Sequence, residues 1–307
     1  MSARLPALSA LRAFESAARH LSFQAAAEEL AITPSAVSHQ IRSLEAELGP
    51  LFVRHARAVS LTERGAALAP GLSDGFAGIA RAVAAAREVG RRPVLTLSTG
   101  PAIAAKWIVP RLYTFEEAHP EIDMRIATSL RLVDLVHEGV DVGIRFGRGD
   151  YAGLEGRRLF GDAMAPLCSP AIAETLRAPV DMLRHRLMID ASTSDRSVLP
   201  GWAEWFDAAG VPAVDYAGPV SAARSIAQAH HTLQAAMDGA GIALGRVAIG
   251  ASDLAAGRLV RPFALQLPTA HSFWLVTAKG RLGEPPIRAL LEWLGEEIER
   301  QVAWLPE

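Results

Sequence analysis

Ser22–Leu48, SFQAAAEELAITPSAVSHQIRSLEAEL, encodes two short helices and the tight turn between them. Ser22 is a good N-cap for the first, and Phe23, Ala26, Ala27 and Leu30 give it an apolar face whose small alanines let a neighbouring helix come close. Ala31 and Ile32 form the turn. Thr33 then offers a second capping oxygen, and Pro34 falls at the first helical position, where its missing N–H costs nothing and its fixed φ already suits a helix. In the second helix Val37, Ile41, Leu44 and Leu48 recur at steps of four, three and four, which at about 100° per residue makes one buried stripe. Ser35, Ser38, His39 and Arg42 fall on the opposite side. They are hydrogen-bonding groups of short to moderate reach near a helix N-terminus, the place from which a recognition helix touches base edges while its N–H groups meet phosphate. An ordinary amphipathic surface helix would show the same polar face.

The flanking sequence bears on that choice. Leu8, Leu11, Phe14 and Ala18 add a preceding amphipathic helix and complete a three-helix core. Downstream, LFVRHARAVSLT (51–62) sets Arg54, His55 and Arg57 around a short β-prone run, as a wing would. The segment ALRAFESAARHLSFQAAAEELAITPSAVSHQIRSLEAELG (10–49), followed by LFVR and LTERG, resembles the winged helix-turn-helix of LysR-type transcriptional regulators. Within that family it is most similar to the subgroup containing the glycine-cleavage activator and the β-lactamase regulator. The resemblance implies that Thr33, Pro34, Ser35, Ser38, His39 and Arg42 meet DNA bases or the adjoining backbone, and that Arg54 and Arg57 hold backbone or minor groove. Two departures stand out. The family places two residues between its Leu-Gly and Leu-Phe pairs where this chain has only Pro50, which bears on the angle of the wing. Pro34 stands where a glutamine is common, which removes a bidentate adenine reader.

With 307 residues, two or three domains are expected, and half the residues are apolar. No charged leader with an apolar run starts the sequence and no apolar stretch of about 18 residues occurs, so a cytoplasmic protein with no membrane partner is expected. Cys168 is the only cysteine, which rules out an intrachain disulfide and a cysteine-based zinc cluster. Lying in the apolar run AMAPLC, it reads as a small buried thiol rather than a redox sensor. The net charge of −2 is unevenly spread: residues 1–92 carry 11 basic and 8 acidic side chains, the remainder 20 and 25. So modest a positive excess binds duplex weakly, because affinity grows with each phosphate neutralised, and a dimer is therefore required.

Residues 62–92 are alanine-rich with Leu68, Leu72, Phe76, Ile79 and Val83 at helical spacing, and predict a long dimerisation helix held by a partner surface; a core helix of the next domain is the alternative. Beyond Pro93 the chain alternates strand-like and helix-like runs: Val94 to Ser98, Lys106 to Ala118, Ile122 to Thr128, Leu132 to Glu138 and Val140 to Phe146. Further strands are expected at Met164 to Cys168, Gly241 to Leu244, Leu259 to Val260 and Ser272 to Thr277. Further helices are expected at Trp202 to Ala209, Ser225 to Asp238 and Pro286 to Ala303. LYTFEEAHPEIDMRI, LVDLVHEGVDVGIRFGRGD and LQAAMDGAGIALG extend the LysR resemblance through this region. The fold class it implies is α+β multidomain: a winged helix-turn-helix (1–61), a linker helix (62–92) and a bilobed α/β effector-binding domain (93–307) like type 2 periplasmic binding proteins. One lobe would hold 93–161 and 271–307, the other 162–270, with a ligand between them.

Candidate effector residues follow from strand ends. Ser98, Thr99 and Gly100 precede a helix start, which suits a carboxylate or phosphate or, equally, simple capping. Ser129, Phe146 and Arg148 end strands at the carboxyl edge of a parallel sheet, with Arg145 beside them; the arginines clamp an anion or pair with Asp141 and Asp150 on the surface. Ser225 and Gln228 have capping-box spacing at a helix start. His230 and His231 point about 100° apart and cannot share a metal; Trp202 and Trp205 read as core.

No nucleophile elbow, phosphate-binding P-loop, paired metal-ligand spacing or dinucleotide turn is present in the sequence, so no cofactor and no catalysis are expected. A transport receptor would need export. The reading that remains is a DNA-binding regulator on an interrupted inverted repeat, responsive to a small effector such as a carboxylate or amino acid. The resemblance adds dimers that pair into tetramers and RNA polymerase as a further contact.

Overall fold

Ser22 and Thr33 act as caps: Ser22 Oγ accepts from the Ala25 N–H and Thr33 Oγ1 from the Ala36 N–H, each at 3.2 Å. They start α2 (Phe23–Leu30) and α3 (Pro34–Leu48), which follow α1 (Leu8–His20). The computed structural model describes residues 5–54, 59–87, 92–131, 133–135, 138–191 and 199–301, in two units, Met1–Arg91 and Arg92–Glu307. The turns after α1 and α2 are made without glycine, by Leu21 (φ 49°) and Ala31 (φ 53°) in the left-handed region. That conformation costs an L-residue about 1–2 kcal/mol, so it is maintained by the surrounding packing.

That packing is one cluster. Leu11, Phe14, Ala17, Ala26, Ala27, Val37, Ile41 and Leu44 close on Leu51 and Phe52. Phe52 begins β1 (Phe52–Arg54), paired antiparallel with β2 (Val59–Leu61) to form the wing. Its ring lies 5.3 Å from Phe14 and 5.2 Å, edge-on, from Phe23, so one aromatic group ties the wing to the helices. The long helix expected within 62–92, α4, runs Glu63–Arg87. Its stripe is not wholly unsupported, because Leu68, Leu72 and Phe76 pack on the helix-turn-helix core. Farther along, Ile79 and Val83 are 52% and 45% exposed.

On the outer face Arg19 donates both Nη2 bonds to Glu29, at 2.6 and 2.8 Å, and the His20 ring lies 2.6 Å from the same carboxylate. Partial burial pushes Glu29 upward, and the hydrogen bonds and charges of Arg19 and His20 outweigh it, leaving the carboxyl lowered to about 2. A depressed folded pKa gives stability that is present above the unfolded value of about 4.3 and lost as pH falls towards about 2. With the Glu29 side chain 37% exposed, screening holds this below about 1 kcal/mol. Glu29→Gln is thus expected to lower stability slightly above pH ~4.5 and not at all below pH ~2, as read from urea midpoints across pH.

The second unit has two five-stranded sheets. In the first, β4 (Asp123–Thr128), β3 (Val94–Thr99), β5 (Val142–Gly147), β12 (Ser272–Ala278) and β6 (Leu154–Phe160) lie in that order. β3 is parallel to β4 and β5, and β12 is antiparallel to β5 and β6. The second sheet has the order β11 (Leu267–Pro268), β7 (Ala163–Leu167), β10 (Ile242–Arg246), β8 (Leu187–Asp190), β9 (Arg224–Ile226), with β8 parallel to β9 and β10. The chain passes between sheets twice, at Gly161–Asp162 and at Thr269–His271, leaving two lobes joined by two short crossovers. Helices α5 (Pro101–Ile103), α6 (Leu112–Ala118) and α12 (Pro285–Glu299) belong to the first lobe. Helices α7 (Pro170–Ala173), α8 (Trp202–Ala208), α9 (Ala213–Ser221), α10 (Ala229–Met237) and α11 (Val247–Ala255) belong to the second.

Several expectations need correction. The helix expected at Lys106–Ala118 begins earlier and irregularly: α5 leads through a π turn at Ala104–Ile108 and a 3-10 turn at Val109–Arg111 before α6. Of the helix expected at 132–138, residues 132, 136 and 137 lie outside the described residues, and 133–135 and 138 are not helical. Residues 224–226 form an edge strand, so the helix expected from Ser225 starts only at Ala229. Leu259–Val260 contributes a single bridge, Cys168 to Val260. Strands β6, β8, β9 and β11 and helices α7, α9 and α11 were not foreseen. Trp202 and Trp205 are buried with Phe206 in the second lobe's core. Cys168 is buried and its thiol pushed up to about 11 by burial, which leaves little thiolate for redox chemistry.

Candidate functional site

The polar row of α3 stands clear of the core. Val37, Ile41 and Leu44 are buried on one side, while Thr33, Pro34, Ser35, His39 and Arg42 are exposed and Ser38 is half-buried. The Thr33 hydroxyl lies 2.9 Å from Ser35 Oγ as well as capping the helix, so it is already engaged within the protein. Arg42 Nε rests on the Ser38 carbonyl at 3.3 Å, which leaves its other nitrogens to reach outward.

Sequence reasoning missed the residues that fix this helix against the wing. Glu45 Oε1 accepts from the backbone N–H of Leu51 (2.9 Å) and Phe52 (3.1 Å), holding the shortened link to α3. Arg64 of α4 donates to the Leu48 carbonyl at the C-terminal end of α3. Gly49 has φ +84°, and a Cβ there would sit 1.9 Å from Arg64 Nη1; a Cβ on Gly65 would meet the Leu51 carbonyl oxygen at 2.2 Å. Arg54 closes β1, and His55 and Arg57 lie outside the described residues.

In the second unit a cavity of about 250 Å³ opens between the lobes. Its wall collects the carboxyl ends of parallel strands from both: Gly100 after β3, Ser129 after β4, Phe146 in β5, Asp190 at the end of β8, Gln228 after β9 and Arg246 at the end of β10. Ligand crevices of open α/β sheets lie at this edge. Four of the expected residues, Gly100, Ser129, Phe146 and Gln228, therefore line one cavity.

The other four lie elsewhere. β3 extends to Thr99, so Ser98 and Thr99 belong to the strand and are fully buried. Their hydroxyls are already engaged, Ser98 Oγ accepting from Arg145 Nη2 at 2.9 Å and Thr99 Oγ1 donating to the Ile144 carbonyl at 3.3 Å. Arg145 is turned onto Ser98, and burial lowers its pKa. Arg148 is exposed beyond the end of β5 and Ser225 is exposed in β9; neither lines the cavity. Ser225 forms no capping box with Gln228, which itself precedes α10 with φ +91° and no side-chain cap.

Arg246 is the main group sequence reasoning overlooked. Its Nε donates to Asp162 Oδ2 at 2.7 Å, and its guanidinium lies 3.8 Å from the Phe146 ring centroid and 4.9 Å from that of Phe273. Asp190 Oδ1 accepts from the Gln228 N–H at 3.2 Å. Arg131, also in the wall, is paired with Glu138. The rule applied to β4 and β5, that parallel strands end at the crevice, would have found Asp190 had β8 been recognised. His231 is exposed, and His230 is half-buried and shifted downward by burial and by the charges of His231 and Lys106. No group of three or more metal-binding side chains occurs among the described residues.

The lobes also touch directly. Lys106 Nζ of the first lies 3.0 Å from Asp253 Oδ2 of α11, off the line of a hydrogen bond, so their pairing is coulombic. Arg111 Nη2 donates to Ser252 Oγ (2.8 Å), which in turn donates to the Lys106 carbonyl (3.2 Å).

Comparison with known proteins agrees with this geometry. A family model described as bacterial regulatory helix-turn-helix protein, lysR family, matches residues 8–66, and one described as LysR substrate binding domain matches 89–299. The HTH-type transcriptional activator AmpR of Pseudomonas aeruginosa strain PAO1 is 39% identical over 290 residues, covering 94% of this chain and 95% of that one. The glycine cleavage system transcriptional activator of Escherichia coli strain K12 is 38% identical over 299 residues, covering 96% and 94%. The effector domain of AmpR of Pseudomonas aeruginosa superposes with a TM-score of 0.52 at 34% identity, covering 69% of this chain and 98% of that chain. Full-length LysG of Corynebacterium glutamicum gives 0.58 at 19% identity, covering 97% and 99%, a likeness of fold.

Proposed function

The chain belongs to the LysR-type family of DNA-binding transcriptional regulators with an effector-binding domain, and we propose that α3 reads a half-site of an interrupted inverted repeat while the inter-lobe cavity senses a small carboxylate or amino acid. The domain division follows as 1–61 for DNA binding, 62–92 for the linker and 93–307 for the effector, with the second lobe at 162–270. Ser35, Ser38, His39 and Arg42 read bases, Thr33 and Pro34 approach the backbone, and Arg54 and Arg57 of the wing segment hold phosphate or minor groove. The observation that carries this is the exposed row on α3, opposite a stripe buried in its own core.

Two copies are needed, because one weakly basic head neutralises few phosphates. The exposed Ile79 and Val83 of α4 favour helix-to-helix dimerisation. Tetramers on two such repeats, with RNA polymerase as a further contact, follow the family pattern. Effector occupancy alters the angle between the lobes, and the change is relayed to paired heads. No helix among the described residues is long and apolar enough to cross a membrane, which is compatible with action on chromosomal DNA in the cytoplasm.

Footprinting on the DNA beside the protein's own gene, across a salt series, is the test. A protected inverted repeat whose affinity falls steeply with salt is expected. Arg42→Ala is expected to weaken specific binding by about 1–3 kcal/mol and to relax base preference at one position of each half-site. An unchanged footprint and affinity would remove Arg42, and with it the recognition face, from the account.

A further inference from the structure

The charges in the cavity wall are unequal in what they have left to give. Arg131 is spent on Glu138, and Arg145 is turned onto Ser98. Arg246 has an acceptor only at Nε, from Asp162; neither Nη nitrogen has one among the described residues, and Nη2 is buried without a partner. A buried guanidinium nitrogen without an acceptor is costly, and such groups in native structures call for an explanation. Asp162 is itself fixed, its Oδ1 accepting from Ala163 N (2.9 Å) and Ala248 N (3.0 Å), so it holds the guanidinium plane against the Phe146 and Phe273 rings. The end of the guanidinium left without an acceptor suits a carboxylate.

Among the described residues the wall also carries one negative group, Asp190, and one of its partners, Gln228, is a non-glycine residue held at φ +91°. Strain of that kind persists where the surroundings enforce it and concentrates at ligand sites. A carboxylate disfavours a second negative charge on the ligand and attracts a cation. At about 250 Å³ the cavity is smaller than the roughly 300–1,000 Å³ of drug-sized sites, and Pro101, Ala102, Ile103 and Ile249 make much of its lining apolar.

We propose that this cavity takes a free amino acid or a zwitterion of similar size, its carboxylate on the guanidinium of Arg246 and its ammonium towards Asp190. This rests on the assignment of the inter-lobe cavity as the effector site and narrows the class of occupant. Asp162 is a positioning residue that turns the fork towards the ligand.

Calorimetry and thermal shift on the full chain test it, using glycine, alanine, serine, glutamate and arginine, each beside its primary amide and its deaminated carboxylic acid. At least one amino acid is expected to bind, with its amide and its deaminated acid each about tenfold or more weaker. Arg246→Gln is expected to lose a similar factor while circular dichroism stays unchanged, and Arg246→Lys to recover part of it. A folded Arg246→Gln protein with wild-type affinity overturns the anchor. Tighter binding by the amides or the deaminated acids, or no binding by any of the amino acids, overturns the zwitterion. Ala102→Trp, which fills the cavity, separates the two levels: if an amino acid still binds that variant, the ligand lies elsewhere and the cavity assignment falls as well.

Discussion

Phe14→Ala is expected to destabilise the DNA-binding unit by about 3–5 kcal/mol and to abolish operator binding while leaving the effector-binding unit folded. Phe14 is fully buried at the point where α1, α2 and the wing meet, with its ring 5.3 Å from Phe52. Removing it takes away buried apolar surface and leaves a cavity that rigid neighbours on three elements cannot close. Because the chain has two units, one unfolding midpoint would mix their contributions. Hydrogen exchange separates them: amides in 8–54 are expected to exchange much faster in the variant and those in 94–300 at the wild-type rate. Wild-type protection in 8–54 would show that the three-element junction is not what holds the head together.

Asp253→Ala is expected to cost the effector-binding unit about 3–5 kcal/mol. Asp253 is 3% exposed and faces Lys106 of the other lobe at 3.0 Å. It also receives two bonds from Arg258, at 3.0 and 2.6 Å. The Arg258 side chain is 58% exposed and rehydrates when its partner is lost. Lys106 is 16% exposed and regains less water, so the variant leaves a half-buried ammonium without its carboxylate. Replacing both partners with apolar residues removes that penalty, and Lys106→Met with Asp253→Leu is expected to recover most of the stability. The readout is the urea midpoint of the effector-binding unit followed by tryptophan fluorescence, since Trp107, Trp202, Trp205 and Trp293 are buried in it. If the double variant is as unstable as the single one, packing rather than charge explains the loss.

The recognition helix was legible because its signals are local: a cap, a proline and a four-three-four stripe within fifteen residues. Strands β3, β5, β7, β10 and β12 were legible as short apolar runs for the same reason. Of the strands missed, β6 and β9 lie at sheet edges, whereas β8 is an interior strand whose four-residue run, LMID, is too short to stand out. β6 reads LEGRRLF with its middle exposed, and β9 is three residues long. In β6 and β9, backbone pairing to a neighbour distant in sequence, rather than side-chain pattern, makes the strand. The same limit applies to the inter-lobe cavity. Gly100, Ser129, Phe146 and Gln228, which line it, follow from rules about strand ends and turns, whereas Ser98 and Thr99 lie within β3, whose end falls one residue beyond the expected Ser98. Arg246 is a lone arginine whose meaning arises only when Asp162, 84 positions away, and two aromatic rings are brought around it.

The position of β12 sets an order of assembly. It lies between β5 and β6 in the first sheet, yet follows the entire second lobe in the chain. During synthesis the second lobe, contained in residues 163–268, is complete before the first lobe receives its missing strand. Until then β5 and β6 each present an unpaired edge, the condition in which nascent chains stick to one another. The late strand thus delays formation of the crevice until both of its walls exist, and makes this stretch of translation the one during which a chaperone has most to protect.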